Sequence, residues 1–347
     1  MYVQRAIAPP YAELRPMESA TSSAFPVYPD LVERLVTATD HPDNTAAHAL
    51  AACAGYSYAD GETVAMMMTR LGLGERCRCL RVEMSVDAMF ICSTAFVVQS
   101  ACGKVVLVSY RGTEPVNFIN WLTNVDVNPE KVRIPFPGEA GDFQVHGGFL
   151  RNVHATRFQV IAALERARRG EPIIPDEGKV LHPLQALYLT GHSLGAAMAS
   201  LMGVMLVTEP AYAPLAGLLR AVYAYGQPMI GDLPFAAACD RHPFLRTKVV
   251  RYVYGHDVVA ALPPVASGDF AHFGPELRFK DGRWQRSSTP TLQLGNLLEL
   301  PGAAAAFFAL QIRWLRKLPF RYSIYDHFPR HYIAALKPPN VASEFGG

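Results

Sequence analysis

A marked excess of charge of either sign is missing from this sequence. Across 347 residues, 32 Lys and Arg stand against 30 Asp and Glu, a formal net charge of +2. No Lys/Arg-rich run stands out, so a nucleic-acid partner is not expected. The densest basic cluster, Arg313, Arg316, Lys317 and Arg321, is interleaved with apolar residues. Long apolar runs are missing too: no stretch approaches the roughly 18 uninterrupted apolar residues of a membrane-spanning helix. The N-terminus has no charged-then-apolar secretory pattern. A cytoplasmic protein is therefore the default expectation, with a removed signal or a non-standard export route as the alternative. Cysteine is sparse: Cys53, Cys77, Cys79, Cys92, Cys102 and Cys239. A chain of this length does not need them as a disulfide framework. Cys77 and Cys79 flank a single residue and are poorly placed to bridge each other. No further ligands with zinc spacing lie nearby. Free and mostly buried thiols are expected, and no metal.

What is present is apolar material. Half of the residues are hydrophobic and 18% are charged, enough to bury a sizeable core and against disorder along the whole chain. Residues 1–28 are rich in Pro, Ser and Ala without periodicity and read as an irregular arm, ahead of one domain over 29–347. Apolar spacing predicts a helix near Leu31, Leu35 and Val36, and a second over Asn44–Tyr56. Two strands are expected within 87–110, the second being Val105–Tyr110. Phe149, Val153, Phe158, Ile161 and Leu164 recur at helical spacing, and Arg168-Arg169-Gly170 closes that helix. Strands at Ala186–Thr190, Arg220–Tyr225 and Lys248–Tyr254 alternate with helices at Leu194–Val207 and Pro234–Cys239. Such alternation predicts an α/β fold with a mostly parallel central sheet and helices on both faces.

The chemistry is written most clearly at Gly191-His192-Ser193-Leu194-Gly195. An apolar strand runs in and an apolar helix runs out, the context that makes Gly-x-Ser-x-Gly a nucleophile elbow. The serine must stand at a tight strand-to-helix turn with Oγ above the sheet. The two glycines let strand and helix approach closely around a strained residue. The helix behind Ser193 aims free N–H groups at developing negative charge.

A serine hydroxyl is a weak nucleophile and needs a base with an orienting carboxylate. On such a sheet the chain order is Ser, then Asp or Glu, then His. Asp257 follows the strand ending at Tyr254 and is the leading acid, with Asp232 as runner-up. His327, just before a terminal helix expected over Arg330–Leu336, is the leading base; His272 and His331 compete. His146, His154 and His182 precede Ser193 and read as capping, surface or supporting groups.

Acyl transfer also needs aimed donors for an oxyanion. One is the backbone N–H of Leu194. The other is expected at Thr113, where the strand ending at Tyr110 turns. Directly after it, Val116, Phe118, Ile119, Trp121 and Leu122 crowd a short apolar helix. It reads as a lid over the pocket, against the plainer alternative of a core helix. An apolar helical insertion with a basic C-terminal end is expected within 287–321. It either packs on the core, lines an acyl pocket, or rests on a membrane surface.

With these residues in view, the chain resembles the class 3, fungal-type lipases of the α/β-hydrolase superfamily. The resemblance rests on Tyr110-Arg111-Gly112-Thr113, Asn120-Trp121 with Asp126, His146-Gly147-Gly148-Phe149 and Gly191-His192-Ser193-Leu194-Gly195-Ala196. Tyr225-Gly226-Gln227-Pro228 with Gly231-Asp232, and Asp257-Val258-Val259 with Leu262-Pro263-Pro264, extend it. It spans roughly Leu31–Leu336. It implies a Ser193–Asp257–His327 triad, an oxyanion hole from Thr113 and Leu194, and a helical lid. It also implies hydrolysis of acylglycerols and other carboxylic esters without metal or cofactor. The implied partners are a lipid or small ester and contact with a lipid–water interface. His272-x-Gly274-x-Glu276 resembles a structural segment of the family. Phospholipase, feruloyl esterase and acetyl esterase activities share this chemistry. A catalytically silent interaction or membrane-surface protein is the alternative of a different class. The arm and the long stretch between Asp257 and His327 depart from the family pattern.

Overall fold

The computed structural model describes residues 2–7, 28–86, 91–112, 129–136, 141–295 and 322–339. The strands are β1 (Tyr2–Ile7), β2 (Arg78–Val86), β3 (Ile91–Gln99), β4 (Val105–Tyr110), β5 (Pro129–Arg133), β6 (Asp142–His146) and β7 (Ala186–His192). They continue as β8 (Leu219–Tyr225), β9 (Gly231–Asp232), β10 (Val249–Tyr254), β11 (Phe270–Ala271), β12 (Glu276–Lys280) and β13 (Arg283–Arg286). The helices are α1 (Leu31–Thr37), α2 (Asn44–Tyr56), α3 (Gly61–Leu71), α4 (Gly147–Arg168), α5 (Leu194–Thr208), α6 (Ala213–Ala216), α7 (Leu233–Arg241), α8 (Pro243–Lys248) and α9 (Pro329–Leu336).

The main sheet runs in the order β1-β2-β3-β4-β7-β8-β10-β12-β13. Its middle, from β4 through β7, β8 and β10 to β12, is parallel. Both flanks are antiparallel. Every residue of β4 and of β7 is buried, as strands covered on both faces require. On one face lie α4 and α5, packed with Val106, Val108, Leu187, Leu189 and Val222. On the other lie α1, α2, α3 and α9, packed with Leu107, Tyr188, Tyr223 and Tyr252. Helix α5 is apolar nearly all round and buried along nearly its whole length, the pattern of a core helix. Among the described residues, no single helix is long and apolar enough to cross a membrane.

Tyr2–Ile7, within the arm expected to be irregular, is an edge strand pairing antiparallel with β2 over Tyr2–Glu83 to Ile7–Arg78. The six residues alternate too little to announce a strand, and the partner edge supplies the order. Helix α3 and strand β2 were equally silent. Helix α3 becomes recognisable through its ends, with Asp60 accepting from Thr63 N–H and Gly72 closing it at φ 105°.

The C-terminal ends of the parallel strands carry the candidate chemistry, as open α/β sheets dictate. Strand β7 leads into Ser193, β8 into Gly226, and β10 through Gly255-His256 into Asp257.

Candidate active site

Ser193 joins β7 to α5 with φ 61° and ψ −131°, a conformation that costs a non-glycine residue on the order of 1–3 kcal/mol. The packing around it explains why the turn persists. A Cβ at Gly191 would stand 2.3 Å from the Gly195 carbonyl, and one at Gly195 would stand 2.1 Å from the Tyr110 oxygen. Only glycine lets β7, α5 and β4 meet this closely. Ser193 N–H donates to the Tyr225 carbonyl (2.9 Å), which ties the elbow to β8. Ser193 Oγ is buried and has no hydrogen-bond partner among the described residues.

Asp257 and His327, 70 positions apart, meet beside this turn: His327 Nδ1 lies 2.8 Å from Asp257 Oδ2. The carboxylate is fully engaged. Val259 N–H donates to its Oδ1 (2.9 Å), and the Tyr332 hydroxyl donates to Oδ2 alongside His327. Burial, and then the negative charge of Asp257, push the Tyr332 hydroxyl's pKa well up, so it stays a donor. Gly226, next to the carbonyl that anchors Ser193, faces this pair. Its φ is +58°, and a Cβ there would stand 2.7 Å from Asp257 Oδ2 and 2.8 Å from His327 Nδ1.

The other sequence candidates have different occupations. His272 Nε2 is 2.7 Å from the Ala260 carbonyl, and burial followed by the charge of Arg251 holds its pKa down. It sits beside the fully buried Arg251–Glu276 ion pair (3.1 Å) rather than at Asp257. His331 is stacked on Tyr254 and packed against Tyr325. Asp232 caps α7 by accepting from Phe235 N–H (2.9 Å) and also accepts from Gln144 N–H (3.1 Å). His146 stacks on Phe149 at 3.9 Å.

Leu194 is the first residue of α5, so its N–H is one of the four without an intrahelical acceptor. Thr113 lies outside the described residues, immediately beyond Gly112. So do the positions of the expected lid, Val116, Phe118, Ile119, Trp121 and Leu122, and residues 296–321 of the expected insertion. The part that is described, 287–295, places Leu294 in a small cluster with Val258, Val259, Ala261, Leu262 and Ile324 next to the acid.

Sequence reasoning missed three residues at this site. Tyr332 is five positions after His327 on α9, where only the fold brings its hydroxyl to Asp257. His192 sits inside the five-residue motif yet carried no assigned role. Its Nε2 is 2.6 Å from the His327 carbonyl oxygen and its Nδ1 is 2.8 Å from the Tyr58 hydroxyl. Tyr58 offered no signal at all.

Residues 107–267 match the family model described as Lipase (class 3). Similar curated proteins include phospholipase A1-II 1 of Oryza sativa subsp. indica, 28% identical over 51% of this chain and 44% of that one. The secreted mono- and diacylglycerol lipase 1 of Fusarium solani is 27% identical over 56% of this chain and 50% of that one. The chain thus spans about half the length of the curated relatives it matches. Among solved structures, lipase II from Rhizopus niveus superposes with a TM-score of 0.54 at 21% identity, covering 82% of this chain and 92% of that one. The lipase from Rhizopus microsporus var. chinensis gives 0.52 at 19% identity, covering 93% and 95%. The fold is therefore the α/β-hydrolase fold of the fungal lipases, with a mixed sheet that is parallel at its centre.

Proposed function

We propose that the protein is a serine hydrolase of lipid carboxylic esters, with Ser193 as nucleophile, His327 as base and Asp257 as orienting acid. The observation that carries this reading is the 2.8 Å His327–Asp257 hydrogen bond standing beside a serine held at positive φ. Ser193 Oγ attacks the ester carbonyl carbon as His327 Nε2 takes its proton, and the carbonyl π pair moves onto oxygen. The oxyanion is held by Leu194 N–H and by Thr113. It collapses to the acyl-enzyme, and the leaving alkoxide receives the proton from His327. A water deprotonated by His327 then attacks the acyl carbon, releasing the acid and restoring Ser193. Asp257 stabilises the imidazolium formed in each half.

Support for a lipid ester comes from relatives named as mono- and diacylglycerol lipase and as phospholipase A1, which share that bond type. Acylglycerol is the leading substrate class and phospholipid the second. Contact with a lipid–water interface belongs to the same proposal.

The test is a fluorophosphonate probe followed by peptide mapping. Label is expected on Ser193, with label and ester hydrolysis both abolished in Ser193→Ala. Folded, unlabelled wild-type protein would overturn the reading and return the chain to the class of silent lipase-like binders. Profiling the labelled enzyme on mono-, di- and triacylglycerols against phospholipids decides between the substrate classes.

A further inference from the structure

His327 lies in a single 3-10 turn, Tyr325–His327, rather than in a long helix or strand. Its imidazole is held by Asp257, but a general base is placed by its main chain as well. The main-chain contact comes from the nucleophile's own neighbour. His192 Nε2 stands 2.6 Å from the His327 carbonyl oxygen, across 135 positions of sequence. A carbonyl oxygen only accepts, so Nε2 carries the proton and Nδ1 of the neutral ring carries a lone pair. That lone pair meets the Tyr58 hydroxyl at 2.8 Å, which therefore donates.

Tyr58 is itself anchored. It follows α2 directly after Ser57, whose buried Oγ is 2.7 Å from Ser109 Oγ on β4. Its hydroxyl sits against the end of β4: a Cβ at Gly112 would come within 2.3 Å of it, 2.5 Å of the His192 carbonyl oxygen and 3.1 Å of Ser193 Cβ. One hydroxyl thus touches the turn that leads to the expected oxyanion donor and the elbow that carries the nucleophile.

His192 also lies where a second charge would obstruct the chemistry, with its ring centroid 4.4 Å from that of His327. Complete burial, and then the charge of His327, hold its pKa well below the ordinary imidazole value. A neutral ring can face the imidazolium that His327 becomes, whereas a protonated one would oppose it.

We propose that Tyr58 and His192 are positioning residues for the base: the hydroxyl selects the His192 tautomer, and that tautomer holds the His327 main chain against the nucleophile elbow. The proposal rests on the reading of Ser193 and His327 above.

The test uses the full chain with Tyr58→Phe, His192→Leu and His192→Gln. The readouts are the rate of fluorophosphonate labelling per reactive site across pH, kcat and KM on a soluble p-nitrophenyl ester, and thermal melting. Tyr58→Phe and His192→Leu are expected to slow labelling and lower kcat about tenfold or more, with KM within about twofold, because a misplaced base weakens the transition state rather than substrate binding. His192→Gln, whose amide can donate to the His327 carbonyl and accept from Tyr58, is expected to recover part of the loss. A merely structural role would reduce the amount of folded protein while leaving the per-site rate and its pH profile unchanged. That result in Tyr58→Phe or in folded His192→Leu would overturn the relay while leaving the Ser193 reading intact. Because Tyr58→Phe keeps the ring, it decides the matter if His192→Leu does not fold. Unlabelled wild-type protein would overturn both.

Discussion

Replacing Asp257 with Asn tests the acid by hydrogen-bond accounting. The carboxylate receives three donors: His327 Nδ1–H and the Tyr332 hydroxyl at Oδ2, and Val259 N–H at Oδ1. An asparagine offers one accepting oxygen and one donating NH2. If the oxygen faces His327, the NH2 opposes Val259 N–H, a fixed backbone donor. Such a buried, unsatisfied clash costs about 1–3 kcal/mol. If the NH2 faces His327, both partners can adapt: a hydroxyl accepts as readily as it donates, and an imidazole can switch tautomer. The second orientation therefore wins by about 1–3 kcal/mol, and it leaves the His327 proton on Nε2, where a lone pair must face Ser193. The fold should survive, with melting near that of the wild type, while kcat falls by about 10⁴, the loss that the wrong tautomer produces in other serine triads. Steady-state rates on a soluble ester, with a low-field proton NMR spectrum, check both halves: the signal of the His327 Nδ1–H bridge should vanish. A variant within tenfold of wild-type kcat and with normal melting would refute the assignment of Asp257.

Two further outcomes follow from buried charge. Arg251→Met strips one of two guanidinium partners from Glu276, which is as deeply buried as the arginine and keeps Arg278 and Thr291, and removes the donors to the Phe273 and Gly274 carbonyls. A loss of about 3–5 kcal/mol in urea unfolding is expected, and a loss under about 1 kcal/mol would show that the pair is not the strut it resembles. Acid should unfold the protein through its buried imidazoles. Desolvation holds His48 and His146 down to about 4, from the ordinary 6.5. The unfolded chain binds more protons than the folded one between those values. Stability is therefore full above about pH 6.5 and is lost as pH falls toward 4, each histidine adding up to about 1.4 kcal/mol per pH unit. Urea midpoints at stepped pH should show this slope, and His48→Gln should flatten it by one proton; an unchanged slope would exclude His48.

Much of the site was legible because its grammar is local. Gly191-x-Ser193-x-Gly195 is five consecutive residues, and the apolar run on either side reports the strand and helix that make it an elbow. The chain order of serine, acid and histidine then narrowed the partners, and Asp257 and His327 meet in the structure while Asp232 and His272 are engaged elsewhere. The regular elements with strong periodicity, α2 and α4 among them, were equally readable. Strand β1 was not, since an edge strand borrows its order from the neighbour it pairs with. Helix α3 shows itself by its caps more than by its composition.

Sequence by itself determined which residues could do chemistry and in what order they come, because bond-forming groups and backbone propensities are properties of short stretches. Tertiary structure alone decided which groups hold them. The Tyr332 hydroxyl reaches Asp257 across 75 positions, and Tyr58 reaches His192 across 134. No local pattern encodes such pairs. A buried lone pair takes whichever donor the sheet and its flanking helices bring within 3 Å, and that choice is made by the packing of distant segments.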